Sequence, residues 1–426
     1  MQFDEITVDA LRTMQSTKQN IFVTGKAGTG KSTLLKAFLE ITDKQVVVLA
    51  PTWVAAHNVW GQTIHSFFHF GLWITIAEAK TKGKTMKRMH FEEDAIYFTD
   101  SIIIDEISMV RADMIDCIDI YLQNAIGNKQ AFGGIQMIFI WDLYQLPPIV
   151  SKSDREMFVN VYKSVYFFDA NVFGRSDISL KVIELQTIYR QSDSKFIDAL
   201  NAVRTNKVSQ SHLSIINQNI VNNPKIEDWV MYITTKNDKV ESINTAKLDQ
   251  IDNKLYIYKS KIKWEVTAKE YPNDYELKLK VWAQVMFVNN DIHERWVNGT
   301  LGKIKKIKSD DITVDIYDWQ TVEIYPHKRN INNYTFDPID KKLTSNNVWS
   351  FEQLPIKLCR ACTIHKAQGK TFEKVIVDLG TGAFAHGQTY VALSRCTSLE
   401  WLILTSAITQ SDIILDDRVA EFFDNI

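Results

Sequence analysis

Gly25-Lys26-Ala27-Gly28-Thr29-Gly30-Lys31-Ser32 has the residue types and the Gly-x4-Gly-Lys-[Ser/Thr] spacing that hold the phosphates of a nucleotide. Glycines at 25, 28 and 30 let the backbone N–H groups of this stretch, Ala27, Thr29 and Thr33 included, curl round phosphate oxygens, and a helix starting there adds partial positive charge. Lys31 is placed to reach the β- and γ-phosphates, and Ser32 to hold Mg²⁺. Hydrolysis also needs a carboxylate for the metal and a group that activates water. Ser101-Ile102-Ile103-Ile104-Asp105-Glu106 supplies both: Asp105 joins Ser32 at the metal, and Glu106 activates the attacking water. ATP and Mg²⁺ are the expected ligands.

Such a loop must sit between a strand and a helix, and the chain provides them. Ile21–Thr24, Val46–Leu49, Ile102–Ile104 and Met137–Ile140 are β-branched runs alternating with helical patterns, as expected of a parallel sheet covered by helices, an α/β fold. A polar, basic interval from about Gly71 to Asp94 is too long for an ordinary connection and predicts a small insertion. A helical pattern over Leu185–Val203 begins a second unit, with strands expected at Trp229–Ile233 and Val375–Val377. From Tyr256 to Trp349, strand-like stretches broken by Asn298-Gly299 and Ser309-Asp310-Asp311 predict a small antiparallel barrel inserted into that second unit.

At 426 residues and a net charge of −2 the chain holds several domains and lacks a simple basic coat, although Lys80–Arg88 and Lys303–Lys308 concentrate positive charge. No apolar run approaches the roughly 18 residues that span a bilayer. The start Met1-Gln2-Phe3-Asp4-Glu5 lacks the pattern of a secretion signal, and four cysteines make no disulfide framework, so an intracellular protein is expected, in cytoplasm or nucleoid if bacterial. Cys359-x2-Cys362 has no second pair to complete a zinc site.

Further segments narrow the class. They are Ala50-Pro51-Thr52 through Gly61-Gln62-Thr63-Ile64-His65-Ser66-Phe67-Phe68, Asp105-Glu106-Ile107-Ser108-Met109-Val110, Asp142-Leu143-Tyr144-Gln145-Leu146-Pro147-Pro148, Tyr189-Arg190-Gln191, Thr363 to Phe372, and Tyr390-Val391-Ala392-Leu393-Ser394-Arg395. Together they resemble the motifs of superfamily 1B helicases, specifically the Pif helicases related to RecD, over nearly the whole chain. The resemblance implies two RecA-like P-loop NTPase domains, 1–70 with 95–172 and 173–240 with 356–426. It also implies a strand-separating wedge at 71–94 and an SH3-like barrel at 241–355. Gln145 would then sense the γ-phosphate, Arg190 and Arg395 would reach it from the far domain, and Gly369 would line the nucleotide site. Pro51, Thr52, His65, Ser66, Phe67, Phe68, Pro147, Thr363, His365 and Lys366 would contact single-stranded DNA, with Phe68 and Phe70 equally suited to a core. Partners implied are single-stranded DNA, single-strand/duplex junctions and G-quadruplexes, with 5′-to-3′ movement by a monomer and no membrane.

Several positions depart from that pattern. Trp53, Trp60, Trp141, Trp282 and Trp401 stand where it has glycine, and Arg360 where it tends to have an aromatic residue. An indole at 141, beside a strand end, crowds the nucleotide or bends the Gln145 segment, unless these rings fill gaps or face solvent. Gln2 and Gln15 are the candidates for gripping adenine. A remodelling translocase, a nucleotide-dependent DNA-binding module and an RNA-directed enzyme share these motifs.

Overall fold

A computed structural model describes residues 3–425 except 72–73, 90–94, 151–157, 159, 192, 264–272, 292, 294, 309–310, 317–319 and 338–341. Gln2, Ser309, Asp310 and parts of the 71–94 insertion therefore lie outside the described residues.

The first domain is built on six parallel strands, β1 (Asn20–Gly25), β2 (Val46–Ala50), β3 (Gln62–Thr63), β4 (Ser101–Asp105), β5 (Gln136–Ile140) and β6 (Leu180–Leu185), in the order β3-β2-β4-β5-β1-β6. The four apolar runs form the centre, with Ile21 opposite Ile138 and Ile102 opposite Met137. Alternate residues feed two cores, because side chains of a strand alternate between faces. Phe22, Val47, Ile104 and Phe139 pack with Ile115, Ile118 and Leu122 of a helix at Ala112–Ile126. Ile21, Val23, Ile103 and Ile138 pack with Leu34, Leu35 and Phe38 of the helix Lys31–Ile41. Each such buried aliphatic contributes about 1.5–3 kcal/mol.

Four of the expected boundaries shift. β6 pairs in parallel with β1 from Asn20–Leu180 to Gly25–Leu185, so the first sheet extends past residue 172. The helix expected from Leu185 begins at Ser194, where the Asp193 carboxylate accepts from the Lys195 and Phe196 N–H groups. In the inserted unit, residues 237–249 form a helix packed on the second sheet, whereas β17 (Ile356–Leu358) pairs with β11 (Gln284–Phe287) of the insertion.

The second domain carries a parallel sheet β18-β7-β19-β20, comprising β7 (Val230–Thr234), β18 (Ala361–Thr363), β19 (Lys374–Asp378) and β20 (Leu402–Leu404). The insertion is an antiparallel five-stranded sheet in which β12 (Leu301–Ile307), β13 (Ile312–Ile316) and β14 (Thr321–Ile324) join β11 and β17 in the order β14-β13-β12-β11-β17, around Val285, Phe287, Ile304 and Val314. A long hairpin of β15 (His327–Asp337) and β16 (Lys342–Gln353) leaves it and meets β3 and the short helix after β3 in the first domain. Within the 71–94 interval, Ile76–Met89 is one helix packed along Ala112–Ile126, and it carries the lysine cluster.

Candidate nucleotide site and nucleic-acid surface

The phosphate loop follows β1 as expected. Gly28 and Gly30 have φ of 85° and 83°, the left-handed region that glycine enters without penalty. A side chain at 28 would lie 2.5 Å from the Arg190 Cβ, and the Tyr189 N–H donates to the Gly28 carbonyl at 2.8 Å, so the fourth motif rests directly on the loop. Lys31 Nζ donates to the carbonyls of Gly25 at 2.6 Å and Lys26 at 2.8 Å. Burial pulls its pKa down to about 8, against the opposing charges of Asp142 and Asp105.

β4 delivers Asp105 and Glu106 as buried carboxyls beside the loop. Burial lifts Asp105 to about 6. Glu106 is lifted to about 8 by burial and by Asp105, against Lys370 and Arg395. Its backbone is left-handed, with φ 52° and ψ 40°, a strain of about 1–3 kcal/mol that persists only where surroundings enforce it.

The loop faces a cleft of about 570 Å³ in which Ala27, Gly28, Thr29, Gly30, Lys31, Ser32 and Thr33 meet Gln145, Tyr189, Arg190, Gly369, Thr371 and Arg395. An adjoining space of about 290 Å³ brings Ser32, Asp105, Glu106 and Gly369 together, with Trp141 lining both. The volume suits a nucleotide. Gln145 is buried, and its Oε1 has no hydrogen-bond partner among the described residues. Arg395 is buried, held by its Nε on the Val391 carbonyl at 3.0 Å and by NH1 on the Lys370 carbonyl at 3.1 Å. Burial and then neighbouring Arg190 lower its pKa to about 9, and burial lowers Arg190 as well. Two desolvated guanidinium groups on one cleft are stabilised by an anion between them. Of the expected residues, Ala27 to Thr33, Gln145, Arg190, Gly369 and Arg395 thus share one cleft, Asp105 and Glu106 line its extension, and Gly25 stands behind the loop with its carbonyl on Lys31.

Some participants had no expectation attached. The Ala27 N–H donates to the Tyr390 hydroxyl at 2.8 Å, and that hydroxyl donates to Asp142 Oδ2 at 3.2 Å. Arg204 NH2 lies 3.1 Å from Asp142 Oδ1. Asp142 and Tyr390 stood inside the motif segments; Arg204 carried no signal. Gln15 accepts from Thr42 Oγ1 at 2.6 Å and does not line the cleft, where Phe3 and Thr7 stand. Arg360 joins the second domain to its insertion, donating to the Glu227 carbonyl and to Gln284 Oε1, both at 3.0 Å. Cys359 and Cys362 are buried beside it.

Two matching turns form the surface expected to meet DNA. Thr63 Oγ1 accepts from the Ser66 N–H at 3.2 Å, and Thr363 Oγ1 from the Lys366 N–H at 3.4 Å. The sequence Thr-Ile-His is therefore a capped helical turn in both domains, placing His65 and Ser66 in one and His365 and exposed Lys366 in the other. Burial lowers the His365 pKa, so its ring is neutral near pH 7. Pro51, Thr52 and Pro147 are half-buried after β2 and after Gln145. Phe68, equally suited to DNA contact or to a core, takes the core place: it is fully buried, stacked on Phe70 at 5.2 Å and edge-on to Tyr121 at 5.3 Å. Phe67 is also largely buried, at 4.9 Å from Phe68.

Comparison with known proteins places this cleft in a family. The family model described as PIF1-like helicase matches residues 3–214. Over 417 residues the chain is 31% identical to the ATP-dependent DNA helicase Pif1 of Bdellovibrio bacteriovorus, covering 95% of this chain and 88% of that protein. The chain belongs to the PIF1-like helicases. A Pif1 of Campylobacter jejuni is 29% identical over 442 residues and covered to 94%. The crystal structure of a Bacteroides Pif1 in complex with ADP-AlF4 superposes with a TM-score of 0.87 at 33% identity, covering 100% of this chain and 97% of that one. Pif1 of Candida albicans gives 0.77 at 28% identity, covering 100% and 99%. The two parallel sheets are thus the two RecA-like domains of a PIF1-like helicase, and no helix among the described residues is long and apolar enough to cross a membrane.

Proposed function

We propose that this PIF1-like chain hydrolyses ATP between its two RecA-like domains and uses the cycle to move 5′ to 3′ along single-stranded DNA, opening duplex at junctions. The observation that carries this reading is that Arg395 of the second domain lines one cleft with the phosphate loop of the first, beside Arg190, whose backbone rests on that loop rather than reaching it from the far domain. A charge that must feel both domains couples hydrolysis to their relative position.

The three loop glycines fit a triphosphate, the unpartnered Gln145 Oε1 fits a water that donates to it, and Ser32 with Asp105 fits a hard divalent cation. When bound, Mg²⁺ would neutralise charge on the β- and γ-phosphate oxygens. Lys31 holds the same oxygens and Gln145 orients the attacking water; Glu106, whose raised pKa is opposed by the charges of Lys370 and Arg395, accepts that water's proton in its carboxylate form as the bond to the γ-phosphorus breaks. Arg190 and Arg395 balance the charge that spreads over the transferring group. Each domain grips the DNA backbone with its Thr-Ile-His turn, His65 and Ser66 in the first and Thr363, His365 and Lys366 in the second, so closure of the cleft changes the distance between the grips. A solved Pif1 structure of Bacteroides is bound to single-stranded DNA, and a further Pif1 structure concerns DNA unwinding at forked duplex DNA, which supports these as substrates here. Folded DNA such as G-quadruplexes, a monomeric state and an intracellular location complete the proposal.

The test is ATP hydrolysis with and without single-stranded DNA, beside unwinding of a 5′-tailed duplex. Stimulation without unwinding assigns a translocase. Trp141, which lines both parts of the cleft, favours a second reading: nucleotide-dependent DNA binding with impaired turnover. That reading predicts strand binding without strand-stimulated hydrolysis.

A further inference from the structure

Trp60, Trp229 and Trp282 have φ of 51°, 68° and 74°, a region that bulky L-residues avoid because Cβ crowds the neighbouring carbonyl. The hydrogen bonds around each define a turn built for glycine. After the helix Trp53–Asn58, the Gly61 N–H donates to the Ala56 carbonyl at 2.8 Å. That is the outer bond of a Schellman cap, and residue 60 is its left-handed position. The Ala283 N–H donates to the Lys280 carbonyl at 3.0 Å, and the Val230 N–H to the Glu227 carbonyl at 3.4 Å. These close two four-residue turns whose third residues, Trp282 and Trp229, carry the positive φ that a type II turn reserves for glycine.

Two of these side chains gain little in return. Trp60 is 64% exposed and Trp282 49% exposed, with a lysine over each ring, at 5.0 Å and 5.5 Å. Trp141 has the opposite defect: it is buried in the nucleotide cleft with Nε1 lacking a hydrogen-bond partner among the described residues. Trp296 is the contrast within the same chain. It is 6% exposed, its Nε1 donates to Asn289 Oδ1 at 3.2 Å, and its ring lies 4.5 Å from that of Phe287. Composition leans the same way: the 426 residues hold 16 glycines and 11 tryptophans, where the usual usage of ~7% would give about 30 glycines.

Independent mutations would not gather at turns that suit glycine, but one codon could. UGA lies one base from the tryptophan codon UGG and one from the glycine codon GGA, and genetic codes differ in its meaning. We infer that residues 60, 141, 229 and 282 are glycine in the polypeptide made by the cell of origin, their codon being UGA read as glycine, while 296 is tryptophan. Glycine at 141 joins the two spaces of the cleft and opens Glu106 to the phosphate loop.

The test needs no catalytic assay. Peptides of the protein isolated from its own cells are sequenced by mass spectrometry, with the codons read from the gene. Glycine and UGA at 60, 141, 229 and 282, with tryptophan and UGG at 296, is the expected result; tryptophan at 60, 229 and 282 overturns the inference. A second arm uses the chain expressed with tryptophan throughout. Trp60→Gly and Trp282→Gly should each raise Tm, and by more than the alanine replacements, because alanine also resists positive φ, whereas Trp296→Gly should lower it. A lower Tm for both Trp60→Gly and Trp282→Gly overturns the inference as well.

Discussion

The N–H of Ala27, in the phosphate loop, donates to the hydroxyl of Tyr390, on a helix of the other domain, at 2.8 Å. The same hydroxyl donates to Asp142, which is paired with Arg204. One buried network therefore links the loop, the segment carrying Gln145 and the helix leading to Arg395, and any movement between domains must stretch or remake it.

Tyr390→Phe removes that hydroxyl and leaves a buried N–H unpaired, a loss of about 1–3 kcal/mol. The expected outcome is a modest fall in Tm and a roughly tenfold rise in KM for ATP, a decade being about 1.4 kcal/mol. Steady-state kinetics beside thermal melting checks it; unchanged kinetics would show that the contact is only structural.

Arg395→Lys keeps a charge but not the planar fork that meets the transferring phosphoryl group. Turnover should fall by about 10²–10³-fold, with affinity for a non-hydrolysable nucleotide changed by only a few-fold. Single-turnover hydrolysis and nucleotide titration separate the two quantities.

Phe68 and Lys366 should behave in opposite ways. Phe68→Ala opens a cavity against Phe70 and Tyr121 and should cost about 3–5 kcal/mol of stability. Lys366→Ala should leave Tm in place, weaken single-strand binding and reduce its salt dependence by about one ion. DNA titrations at several salt concentrations, with chemical denaturation, test the pair.

His386 ties the two domains through a different bond. Its Nδ1 accepts from the Asp416 N–H at 3.1 Å, which leaves Nε2 to donate to the Leu143 carbonyl at 2.8 Å. Burial lowers its pKa, against the Leu143 carbonyl and the charges of Asp416 and Asp142. Below the unfolded value of about 6.5, the unfolded chain takes up a proton that the folded chain refuses, so this stability is present above that pH and is lost as pH falls toward the folded value. Tm should drop more steeply from pH 7 to 5 in the wild type than in His386→Gln; parallel profiles would refute the assignment.

What was legible in the sequence was chemistry confined to one stretch of chain. The phosphate loop and Asp105-Glu106 were readable because the reaction dictates their residue types, and β1, β2, β4 and β5 because strands buried on both faces are continuously apolar. β3 spans only Gln62–Thr63 and has no pattern to read, while the edge strand β6 is only partly buried. The fate of Phe68 turned on Tyr121, which no local pattern could bring to it. Arg204 looked like any helical arginine until the fold placed Asp142 against it.

The central claim, that one two-domain cleft couples hydrolysis to a DNA grip, is tested most directly by ATPase activity with and without single-stranded DNA. It should be measured for the chain bearing Trp141 and for Trp141→Gly, each beside Lys31→Ala and Glu106→Gln. The account predicts stimulation by single strands in at least the Trp141→Gly chain, with Lys31→Ala and Glu106→Gln each reducing turnover at least about a hundredfold. No stimulation in either background, or full turnover in Lys31→Ala, would contradict it.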